Sequence, residues 1–192
     1  MDRSRDPGWR PALRYALFGL LPGWSLRRRR RAGHFDGLIL LRGIFLSFTS
    51  GLLLVGLVVV VLDASAGLDR SVSEAPVAAF VLVIGVASLT PPLWERPLAC
   101  DDDTRLAKSY TTRFFLRVAL TETPALLAFA GFILTAAGWL YAMGGVFTAI
   151  GLWRLAPTAA HLDDDQQRLR ASGCGRSLVD ALRNQPLGGR GG

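Results

Sequence analysis

The stretch 118-VALTETPALLAFAGFILTAAGWLYAMGGVFTAIGLW-153 decides the fold: 36 residues that carry one charge, Glu122. As a single helix it would be about 54 Å long at 1.5 Å per residue, against a bilayer hydrocarbon core of about 30 Å. It must fold back on itself, and Ala136-Ala137-Gly138 supplies the break. Two similar blocks precede it: Ile44–Leu62 is 19 residues without a charge and Ala75–Trp94 is 20. Continuous apolar blocks of this length, rather than amphipathic periods, mark membrane spans. The sequence therefore predicts an all-α, polytopic integral membrane protein with four transmembrane helices, at 38–62, 75–94, 114–136 and 139–156, packed as two hairpins. Residues 1–37 form a basic cytoplasmic head with an interfacial helix, and residues 157–192 a cytoplasmic tail with short helices.

Charge sets the orientation. Of 22 basic residues 21 are arginine, the usage of a GC-rich genome. Ten of them precede or open the first span: Arg3, Arg5, Arg10, Arg14, Arg27, Arg28, Arg29, Arg30, Arg31 and Arg42. Further basic residues lie in the 95–117 connection and after the fourth span, whereas the 63–74 loop has only Arg70. By the positive-inside rule both termini and the 95–112 loop are cytoplasmic, giving a multi-pass protein of a bacterial plasma membrane. The net charge of +7 thus reports topology and not a nucleic-acid partner. Trp94, Tyr110 and Trp153 mark the cytoplasmic interface, and Trp139 and Tyr141 the outer one. Ala64-Ser65-Ala66 has the small residues of a signal-peptidase site, but a cleavable signal has an apolar core of only about 7–15 residues. The roughly 20 apolar residues behind this long basic head suit a retained span.

In the head, Trp9, Leu13, Leu17, Leu20 and Trp24 fall at helical spacing, the pattern of a helix lying on the membrane surface. Arg27 to Arg31 would hold anionic lipid headgroups at about 1 kcal/mol each, and equally serve as a topology determinant. In the tail, Thr158 can cap a helix with acids early and arginines late, which Gly173 ends. A second short helix near 177–183 carries Leu178, Val179 and Leu182 on one side, for docking on the membrane or on a partner. Cys100 and Cys174 both fall on the cytoplasmic side, where a disulfide is disfavoured. Their spacing is not that of a zinc site. The triplets Asp101–Asp103 and Asp163–Asp165 read as solvated loop charges, with divalent-cation binding the alternative. No cofactor motif, metal-ligand spacing or nucleophile–base arrangement is present, so neither an enzyme nor a cofactor is expected.

Glu122 is the one group within the spans that invites chemistry. It lies eight residues into the third span, roughly 12 Å from its cytoplasmic edge by helical rise. A charged acid at that depth costs several kcal/mol unless it is paired, so it binds a cation or is protonated. Pro124 frees the carbonyl of Leu120, and the hydroxyls of Thr121 and Thr123 could add oxygen ligands beside the carboxylate. The bland alternative is a protonated Glu122 hydrogen-bonded across a helix interface to Ser88, Thr90, Ser47, Thr49 or Ser50. Gly144, Thr148 and Gly151, and separately Gly145 and Ala149, place small residues on the fourth span for close helix approach.

The stretch 113-RFFLRVALTETPALLAFAGFIL-134 resembles the carboxylate-bearing outer helix of the rotary ATP synthase proteolipid, subunit c. The resemblance covers residues 76–138, and Arg96-Pro97 is similar to the Arg-x-Pro of that family's polar loop. It implies a helical hairpin with a cytoplasmic loop, with Glu122 in the place of the carboxylate that binds a proton or sodium ion. The chain departs from the pattern in its second span, which has only Gly85 and ends in Pro91-Pro92, and in its two further spans. The first span, 42-RGIFLSFTSGLLLVGL-57, is similar to the third, as in a degenerate pair of hairpins.

Two functions are therefore expected. The first is a diverged, non-catalytic membrane accessory or scaffold protein that contacts a membrane-protein partner, or further copies of itself, through loop 95–112 and the tail. The second is proteolipid-like binding or translocation of an ion through Glu122.

Overall fold

The computed structural model describes residues 8–13, 36–65, 72–90 and 98–183. These are helical, with no strand among the described residues. Among the described residues six helices follow in order: α1 Gly37–Ser65, α2 Glu74–Ser88, α3 Asp103–Thr135, α4 Gly138–Leu155, α5 Ala159–Ala171 and α6 Leu178–Arg183. Residues 10–13 are helical as well.

Helix ends fall where local chemistry puts them. Asp36 caps α1, its carboxylate accepting from the N–H groups of Leu38 and Ile39 at 3.1 and 3.3 Å. Asp102 caps α3 through the Arg105 N–H at 2.6 Å, so this helix starts well before residue 114 and absorbs most of the 95–112 loop. Between α3 and α4 the chain reverses at Ala136, which takes a left-handed φ of 56°. α2 is shorter than 75–94: it ends at Ser88, and Leu89 and Thr90 bond back in a turn. α1 runs helically through Ala64 and Ser65, whose hydroxyl donates to the Val61 carbonyl, so two residues of the small-residue triplet are helical. Two helices, α1 and α3, are long and apolar enough to cross a membrane. α2 is apolar but has 15 residues.

The chain divides into two compact units. Among the described residues, one holds 8–13, 36–47, 98–113 and 156–183, and the other holds 48–65, 72–90 and 114–155. Their surfaces differ. Of the exposed large apolar side chains among the described residues only Leu13 belongs to the first, hence the polar unit. The second, the apolar unit, exposes Leu53, Leu54, Leu57, Phe80, Val83, Leu126 and Trp153, among others.

In the apolar unit the helices meet through small residues. α4 buries Leu140, Gly144, Thr148 and Gly151, a spacing that keeps them on one face. A Cβ at Gly144 would meet the Pro124 carbonyl oxygen and the Ala128 methyl at 2.5 Å, and one at Gly151 would collide with Thr121. Gly85 of α2 packs against the ring of Phe147, and Gly131 of α3 against Val77. Tyr141 joins Val59, Ala125 and Phe132 in the buried cluster, and its hydroxyl donates to the Leu52 carbonyl at 2.6 Å. α4 thus touches each of the other three helices. The Gly144/Thr148/Gly151 stripe is spent inside the chain, while Gly145 has open space around it.

Candidate functional site

The polar unit is where the sequence reading changes most. The described residues of head, loop and tail, expected as separate segments, are parts of one compact body. Arg42, in the first turns of α1, is fully buried. Its Nε donates to the Pro157 carbonyl at 3.0 Å and its Nη1 to that of Gly8 at 2.8 Å, while the guanidinium lies 5.2 Å from the Trp9 ring centroid. One cation thereby fastens the residue 8–13 turn and the entry to α5 onto α1. In sequence Arg42 was one more arginine counted for topology.

The tail closes on the loop. Thr158 caps α5 as its sequence predicts, accepting from His161 N–H, and the His161 Nδ1 donates to the Ala156 carbonyl at 2.7 Å. At the other end Gly173, with φ of 86°, donates to Arg170, and Cys174 N–H reaches back to Leu169. This is the paired glycine cap that turns a chain sharply out of a helix. Gln166 then holds the turn, donating to the Arg176 carbonyl at 2.8 Å and accepting from Leu178 N–H at 2.6 Å. Leu162, Leu169, Leu178, Val179 and Leu182 are all buried. The apolar side that seemed to await a membrane or partner is covered by the protein itself.

Three contacts lock this arrangement. Cys100 and Cys174 form a disulfide, with Cα atoms 5.9 Å apart, which corrects the expectation of two unpaired thiols. Compartment chemistry argued against the bond, but the turn after Gly173 delivers Cys174 to Cys100 across 74 residues. Arg176 forms an ion pair with Asp103 at 2.7 Å and also donates to the Asp101 and Cys100 carbonyls at 2.8 and 3.2 Å. Tyr110, expected at the membrane interface, is buried and donates to Asp165 at 2.9 Å. The aspartate triplets therefore have work beyond solvation: Asp102 caps, Asp103 pairs, Asp165 accepts and Asp101 pairs with the exposed Arg105. Arg183 adds an ion pair to Asp36 at 3.3 Å.

The ion-binding candidates are dispersed by the helix that carries them. Thr121 is buried, with its methyl against Gly151. Thr123 spends its hydroxyl on the Ala119 carbonyl at 3.1 Å. Glu122, between them, is half-buried and makes no hydrogen bond or ion pair among the described residues. Three consecutive residues on a helix point about 100° apart, so a TET triplet cannot converge on one ion by itself. Nor are the proposed hydroxyl partners all open: Ser47 and Ser88 donate to carbonyls of their own helices, and Thr90 to the Ala87 carbonyl at the end of α2. Ala125, just past Pro124, donates its N–H to Thr148 of α4 at 3.3 Å. Arg27, Arg28, Arg29, Arg30 and Arg31, the lipid-contact candidates, lie outside the described residues.

No protein family, curated protein or solved structure matches the chain.

Proposed function

We propose that the protein is a non-catalytic, four-span protein of a bacterial plasma membrane, with both termini and the polar unit cytoplasmic, acting as an accessory or scaffold for a membrane-protein partner. The observation that carries this reading is the exposed apolar surface of the apolar unit. A core helix of a soluble protein is mostly buried, yet only 11% of the most apolar stretch of α1 is buried, against 44% for α3. Side chains such as Leu53, Leu57 and Val60, each more than 60% exposed, need an apolar solvent. α4 at about 27 Å matches a bilayer core, and α2 at about 22 Å does so with flanking residues or local thinning. The arginine distribution supports the orientation. The cytoplasmic face so formed is charged: Asp101, Asp102, Asp103 and Arg105 have half or more of their side-chain surface exposed.

Two measurements test it. Single cysteines at Val72 and Ser172, in a background without Cys100 and Cys174, should react with an impermeant maleimide in intact cells at Val72 alone. A photo-crosslinker at Asp102 should capture one recurrent membrane protein from native membranes; a scatter of neighbours would remove the scaffold role.

A second reading, that Glu122 binds a proton or sodium ion as the proteolipid resemblance implies, rests on its lack of any hydrogen-bond or ion-pair partner among the described residues. Carbodiimide labelling that depends on pH or is blocked by sodium, and is lost in Glu122→Gln, supports it. An unreactive Glu122 excludes it.

A further inference from the structure

Cys100 and Cys174 are the only two cysteines of the chain, and the structure joins them. Both lie in segments that the arginine distribution assigns to the cytoplasm, where thiols are held reduced and a disulfide is as a rule transient. We propose that the pair is a reversible redox latch, oxidised by a cytoplasmic hydroperoxide, that fastens the α5–α6 tail to the start of α3. The inference rests on the cytoplasmic placement of the polar unit proposed above.

The two sulfurs have unlike surroundings. Cys100 is partly exposed and stands three residues before α3, at the positive end of a 33-residue helix. The Arg176 guanidinium donates to the Cys100 carbonyl at 3.2 Å. The acids nearby, Asp101 and Asp103, are engaged by Arg105 and Arg176, and Asp102 by the α3 backbone. Its partial exposure makes Cys100 the sulfur that an incoming hydroperoxide can reach. Cys174 is 4% exposed and follows the C-terminal end of α5, where negative charge is disfavoured. Cys100 is therefore the reacting sulfur and Cys174 the resolving one.

The chemistry balances. The Cys100 thiolate attacks the hydroperoxide, breaking its O–O bond and giving the sulfenic acid and hydroxide or alkoxide. The Cys174 thiol condenses with that sulfur, forming the S–S bond and releasing water, so two electrons pass from the cysteines to the peroxide. A dithiol reductant returns the two electrons by thiol–disulfide exchange and leaves as its own disulfide.

When the bond opens, the tail is held by non-covalent contacts, among them Arg176 on Asp101, Asp103 and Cys100, Tyr110 on Asp165, Arg183 on Asp36 and the buried face of α6. The exposed carboxylates of the loop then exchange with solvent or a partner in place of Arg176.

Cells producing the full chain are quenched in acid and the thiols tagged with a mass-shifting maleimide. Two tags are expected at rest, none after a brief pulse of hydrogen peroxide, and two again after recovery. In isolated membranes, dithiothreitol should raise the rate of tryptic cleavage in the tail on the order of tenfold. Cys100→Ser should cleave at that faster rate with or without it. Two tags before and after peroxide would overturn the latch, as would no tags under any condition. In the untagged case an impermeant phosphine followed by an impermeant maleimide, applied to intact cells, separates the two failures. Labelling there would mean that the placement is wrong and the bond is a permanent extracytoplasmic one. Its absence would mean that the placement stands and the switch fails.

Discussion

The polar and apolar units solve the same problem with opposite materials. In the polar unit, distant segments are joined by a buried arginine, a disulfide, ion pairs and a side-chain amide. In the apolar unit, helices are joined by the absence of side chains at Gly85, Gly131, Gly144 and Gly151, with a buried hydrogen bond from Ala125 and a partly buried one from Tyr141. Water explains the first, since it rewards burial of Leu178 or Leu182 and allows charged groups to mark the rim. The proposed bilayer setting accounts for the second. It gives no hydrophobic drive between helices, so contact depends on backbones coming close and on polar groups finding partners.

Substitutions should separate the two regimes. The largest effect is expected for Gly144→Leu, whose side chain would meet the Pro124 carbonyl and Ala128. A loss of about 3 kcal/mol or more, or no folded protein in detergent, is the expectation from thermal unfolding in micelles. Gly145→Leu, with nothing within 4 Å, is the control that should stay near wild type. Equal effects at the two positions would break the close-approach account of α4.

Next comes Arg42→Met, which keeps the bulk but removes the Arg42 donors to the Gly8 and Pro157 carbonyls. About 2–3 kcal/mol should be lost from the polar unit, read as faster tryptic cleavage near residues 8–13 and 156–183. Tyr141→Phe should cost about 1 kcal/mol by removing the bond to Leu52, measured by the same micelle unfolding. Ala136→Gly goes the other way. It relieves a left-handed alanine and should stabilise the α3–α4 turn by about 0.5–1 kcal/mol. The smallest effect belongs to Arg105→Gln. Its ion pairs to Asp101 and Asp102 are more than half exposed and should contribute no more than about 0.5 kcal/mol in the proteolysis assay.

Helix positions were legible because they depend on local chemistry. The long uncharged runs, the break at Ala136–Gly138, the Thr158 cap and the Gly173 stop each need only a few neighbouring residues. The early start of α3 was less so, because Asp102 looked like one charge in a polar loop and not a cap. At Glu122 the threonines at i−1 and i+1 seemed to offer ligands. Helical geometry instead sends Thr121 into α4 and turns Thr123 back on Ala119. Gly144 and Gly145 were equivalent as letters, and only the packing of α3 told them apart.

Sequence alone determined that the described residues are helical, roughly where their helices run and which of their blocks are apolar, since backbone hydrogen bonding and side-chain hydropathy act over short stretches. The tertiary structure decided that residues of head, loop and tail form one unit, that Arg42 is buried and that Cys100 meets Cys174. Those contacts join residues 34, 74 and 115 positions apart, and no local periodicity encodes a partner at that distance.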